Sequence, residues 1–119
     1  MKRMIIAVGL LLVSPLSVAT NWYILQVEAQ RCEPARQFAV NNDTPEFATP
    51  LKMRDFARSF NPGYQGTQVV HLPHGMGVMA EIKLGNDRAF YYFSTYTGCQ
   101  YAIQVSHQDG TMPNLNELR

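Results

Sequence analysis

The sequence predicts an α+β fold: a small antiparallel sheet of four to five strands, one main helix packed on one face, and one disulfide. Three observations lead there. Apolar residues recur with helical spacing over 49–60, whereas β-rich segments follow one another from 67 to 105. Helix and strands that do not alternate along a chain favour α+β over a parallel α/β sheet. Cys32 and Cys99 are the only two cysteines, a number that allows one pairing.

The first nineteen residues read as an export signal. Met1-Lys2-Arg3-Met4 is a short positive region, Ile5 to Val13 is apolar, and Ser17-Val18-Ala19 places small residues around a cleavage point after Ala19. The apolar run is shorter than the roughly 20 residues that span a bilayer, and Pro15 lies within it. Cleavage leaves 100 of the 119 residues, and no stable membrane span. Losing Lys2 and Arg3 takes the formal charge from +1 to −1. A nearly neutral chain without a block of like charge has no electrostatic basis for binding nucleic acid. The domain organisation expected is therefore a leader over 1–19, a single domain over 20–106 and a flexible tail over 107–119.

Trp22 to Ala29 reads as the first strand, with Tyr23, Leu25, Val27 and Ala29 on one side. Cys32-Glu33-Pro34 is then expected to leave the sheet. Ala35 to Val40 fits a turn or two of helix. Thr44-Pro45-Glu46-Phe47 is an entry turn to the main helix, Thr49 to Phe60. There Thr49 can accept a hydrogen bond from the first turn, and Pro50 sits where a missing N–H costs nothing. Met53, Phe56, Ala57 and Phe60 form the expected apolar stripe. Asn61-Pro62-Gly63 ends it.

Thr67 to Leu72 is β-rich, and Pro73 to Gly77 is a loop. Val78, Ala80, Ile82 and Leu84 alternate with Met79, Glu81 and Lys83, the pattern of a half-buried strand. Gly85-Asn86-Asp87 is a hairpin turn into an aromatic strand, Arg88 to Ser94. Cys99 to Val105, with Tyr101, Ile103 and Val105 alternating, is expected to be the last strand.

In an exported chain two cysteines favour a disulfide, here Cys32–Cys99, and no CxxC motif argues for redox chemistry. His71, His74 and Met76, with Met79 close by, combine imidazole and thioether in the manner of a periplasmic copper-type site. Against this, Pro73 and the glycines place them on a loop, with no acidic ligand adjacent. For catalysis, Ser94 and Ser106 lack a nucleophile elbow, and Glu28, Glu33, Glu46 and Glu81 have no informative spacing. No cofactor fingerprint occurs. Trp22, Tyr64, Tyr91, Phe93 and Tyr96 could instead furnish an aromatic surface for a protein or saccharide ligand. The function expected is that of a small exported, non-catalytic binding or accessory module using a sheet face or edge.

Overall fold

The computed structural model describes residues 21–85 and 88–105. The expected leader at 1–19 and tail at 107–119 lie outside the described residues. The strands are β1 (Tyr23–Gln26), β2 (Arg31–Pro34), β3 (Gly66–His71), β4 (Val78–Leu84) and β5 (Arg88–Phe93). They form one antiparallel sheet in the order β2-β1-β5-β4-β3. Three helices accompany it: α1 (Ala35–Asn41), α2 (Pro50–Phe60) and α3 (Tyr96–Val105). The α+β class and the single disulfide are as the sequence indicates.

The first strand is shorter than expected. The chain turns at 27–30, where Gln30 takes φ 54° and its N–H donates to Val27 O (3.2 Å). The segment read as leaving the sheet then returns as β2, placing Cys32 opposite Leu25 and Glu33 opposite Ile24. Gln26 Nε2 donates to Glu33 Oε1 (2.8 Å) across this hairpin.

Helix α1 starts where Ala35 N donates to Trp22 O (2.8 Å). Its buried positions, Ala35 and Ala39, are four apart and small, so the helix lies close on the sheet. A 3-10 turn, Pro45–Ala48, leads to α2. Thr49 caps α2 by accepting from Lys52 N (3.1 Å), with Pro50 in the first turn. The stripe buried by α2 is Pro50, Met53 and Ala57 rather than the one expected. Phe56 and Phe60 stand out in solvent, 38% and 73% exposed, with rings 5.1 Å apart. Ala57 is fully buried, so the helix backbone rides close to the sheet. Aromatic volume beside it comes from Phe38 stacked on Phe47 at 5.6 Å and Phe90 tilted against Phe47 at 5.0 Å.

The segment from Cys99 is helix, not strand. Gly98 N donates to Thr95 Oγ1 (2.9 Å), a capping contact at the start of α3. Gly98, Cys99 and Ala102 then make a buried face of small residues. A Cβ at Gly98 would lie 2.6 Å from Met76 O and 2.8 Å from Leu72 Cδ1, so only glycine permits this approach. The alternation of Tyr101, Ile103 and Val105 coincides with strand spacing without producing one.

Because α3 covers the second face, the sheet is buried on both sides. Trp22, Ile24, Ala80, Ile82, Leu84 and Tyr92 pack under α1 and α2. Leu25, Val70, Met79 and Phe93 pack under α3 with Cys99 and Ala102. Strand β4 is therefore not half-buried: Met79 on one face and Ile82 on the other are both inaccessible. The disulfide Cys32–Cys99, with Cα atoms 6.1 Å apart, ties edge strand β2 to α3 rather than joining two strands.

Candidate functional site

The aromatic residues singled out in the sequence do not share a surface. Trp22 (4% exposed) and Phe93 (0%) are core, on opposite faces of the sheet. Tyr64 is half-buried, its hydroxyl 2.7 Å from Thr67 Oγ1. Tyr96 is half-exposed and meets Tyr23 edge-on at 5.6 Å. Tyr91 is half-buried opposite Glu81.

The pair Glu81–Tyr91 sits in the α3-side face of the sheet, where Glu81 is buried. Burial, then the charge of Glu81 and a hydrogen bond to it, pushes the Tyr91 hydroxyl up to about 12. Burial, then Glu46, raises Tyr92 still further, and the Tyr92 hydroxyl donates to Phe47 O (2.8 Å). Both are neutral acids whose folded values lie above the ordinary value near 10. Their contribution to stability is complete below pH ~10 and falls as pH rises toward ~12, because the unfolded chain ionises first. The thermal midpoint should therefore drop above pH ~10, and two of the six tyrosines, followed by phenolate absorbance, should ionise at higher pH than an ordinary tyrosine. Six tyrosines titrating together near pH 10 with an unchanged midpoint would contradict this.

His71 ends β3 and His74 lies in the 3-10 turn Pro73–Gly75 at φ 59°; both are exposed. Met76 is half-buried against the α3-side core, and its carbonyl accepts from Thr95 Oγ1 (2.6 Å). Among the described residues no three His, Cys, Asp or Glu side chains converge on a metal position. Ser94 Oγ accepts from Val78 N (2.9 Å) and thus fixes the end of the sheet. A groove of about 560 Å³ runs past Trp22, Pro34, Arg36, Gln37, Val40 and Thr49. Among the described residues no carboxylate or histidine lines it.

What the fold leaves available is a sheet edge. The two edges differ. Strand β2 has four residues, carries Arg31 and Glu33, ends at Pro34, and is tied down at Cys32. Such features discourage edge pairing. Strand β3 is six residues, Gly-Thr-Gln-Val-Val-His, with no proline, lysine or acidic residue.

Its register fixes which backbone groups point outward. Leu72 N donates to Gly77 O (2.8 Å) at the end of the β3–β4 ladder, where His71 pairs with Val78. In an antiparallel ladder, hydrogen-bonded and non-hydrogen-bonded pairs alternate. Val70 and Gln68 therefore bond inward to β4. The N–H and C=O groups of Thr67, Val69 and His71 face away from it. At the lower end Gln65 N also reaches Lys83 O (2.8 Å), and Gly66 takes φ 125°, a local bulge that closes the strand. At the upper end a shallow depression of about 390 Å³ is lined by Val69, Val70, His71 and Pro73. Sequence reasoning missed this edge because Thr67 to Leu72 reads like any interior strand. Its position depends on the crossover from β2 through α1 and α2 to the far side of the sheet.

No family model, curated protein or solved structure matches the chain.

Proposed function

We propose that the chain is an exported, non-catalytic binding module that accepts an extended segment of a partner protein along β3. The observation that carries the reading is the row of outward N–H and C=O groups at Thr67, Val69 and His71 on an edge with no charge or proline to repel a strand. Such a row matches another β-strand, since alternate residues of an extended chain present donors and acceptors at the same spacing. The depression by Val69, Val70 and Pro73 suits an aliphatic side chain of that segment. A saccharide is less favoured, because Trp22 and Phe93 are buried and the aromatic residues singled out in the sequence share no surface. Export rests on the leader-like residues 1–19 and on the disulfide, which suits an oxidising compartment.

A soluble heptapeptide of alternating valine and threonine tests the reading. On titration by NMR, the amides of Thr67, Val69 and His71 should shift and become protected, while Gln68 and Val70 change little. Val69→Pro should weaken binding at least ~10-fold with the fold retained, since the Val69 N–H serves no ladder bond and proline is tolerated at such positions. No response at these three amides up to about 1 mM peptide, a range that reaches weak affinities, would sink the proposal.

A further inference from the structure

An open edge is a liability in a monomer. Proteins that carry one shield it with charge, proline, a bulge or a covering element. Among the described residues β2 is shielded and β3 between Thr67 and His71 is not. We infer that β3 pairs with β3 of a second copy, antiparallel about a two-fold axis at Val69, and that this dimer guards the edge until a partner segment displaces it. The inference rests on the edge reading above and names the occupant of the same site in the absence of a partner.

Three features favour self-pairing. The first is hydrogen-bond complementarity. With Val69 opposite Val69, Thr67 lies opposite His71 of the other copy and the reverse. All three outward residues then fall in hydrogen-bonded pairs. The second is charge. Strand β3 carries no lysine, arginine or carboxylate, so a two-fold brings no like charges face to face. A basic or acidic edge would be placed against itself and repelled. The third is closure. Among the described residues only one sheet edge is unguarded, so pairing ends at two copies and does not propagate into a filament.

The size of the contact sets its strength. A six-residue strand is ~20 Å long, and with a sheet spacing of ~10 Å the edge covers roughly 200 Å² per partner. Stable complexes bury about 800 Å² per partner. The dimer is therefore weak and concentration-dependent, as a displaceable guard requires.

Sedimentation equilibrium on the disulfide-intact protein from about 10 µM to about 1 mM tests this, because that range brackets weak association. The expected result is a mass that rises toward twice that of the chain and stops there. Val69→Lys and Val69→Glu, which put like charges opposite each other at the axis, should each be monomeric throughout. Their equimolar mixture should dimerise again. That rescue separates pairing at the axis from general loss of stability, and thermal melting of each variant checks that it folds. Adding the valine–threonine heptapeptide should shift wild type toward monomer. A wild-type mass that stays at one chain to about 1 mM, or variants that dimerise unaided, would overturn the inference. In that event peptide-induced shifts at Thr67, Val69 and His71 would leave the binding reading standing, and their absence would remove both. Growth beyond two copies would also overturn it, because it requires a second open edge.

Discussion

Reducing the Cys32–Cys99 bond is expected to lower the thermal midpoint by roughly 15 °C or more, with the native contacts otherwise kept. The bond closes 67 residues of chain. On the chain-entropy model that removes about 4 kcal/mol of freedom from the unfolded state. A domain of this size has only ~5–15 kcal/mol of net stability. The closed loop includes α1, α2, β3, β4 and β5, with two of the four strand pairings, so the constraint acts on much of the core. Cys32→Ser/Cys99→Ser should be less stable still than the reduced protein, because Cys99 is fully buried and a serine hydroxyl there needs a partner. Thiol counting on unfolded, unreduced protein should find none, in keeping with the absence of free cysteines among the described residues. A midpoint unchanged by reduction would show that the tie between β2 and α3 contributes nothing.

Phe93→Ala is expected to cost about 3–5 kcal/mol, through lost burial and the cavity left behind. Phe93 is fully buried beneath α3, between Met79 on β4 and Tyr23 on β1. Phe60→Ala, 73% exposed at the end of α2, should change stability by no more than ~0.5 kcal/mol. Chemical denaturation of the two variants side by side is the check. The sequence pattern alone places Phe60 in the core stripe and Phe93 on a binding surface, so the contrast separates the two arrangements. Equal losses would mean that α2 is rotated from its position here.

Some elements declare themselves in the residues. Thr49-Pro50 marks the start of α2 through capping and ring geometry. The strict alternation from Val78 to Leu84 gives β4, and two cysteines leave a single pairing. Other elements are hidden for physical reasons. The β1–β2 hairpin turns at Gln30 with φ 54°, where no glycine or asparagine signals a left-handed residue. Helix α3 presents Tyr101, Ile103 and Val105 at strand spacing, while its packing face is the less conspicuous Gly98, Cys99 and Ala102. Once that helix is taken for a strand, its cover on the second face disappears, and Trp22, Tyr91 and Phe93 look available. Burial of both faces then narrows the expected face-or-edge site to an edge. Which strand lies at that edge is set by the order β2-β1-β5-β4-β3, a long-range property that no local pattern encodes.

Residue-resolved amide hydrogen exchange across 66–72, on protein dilute enough to be monomeric, tests the open edge most directly. The structure predicts an alternation. Gln68, Val70 and Leu72 should exchange slowly, because their N–H groups bond to β4 or its turn. Thr67, Val69 and His71 should exchange fast, close to the rate of unstructured amides. Uniform slow exchange over all six would contradict the account, because it would show the outer side of β3 already occupied within a single chain.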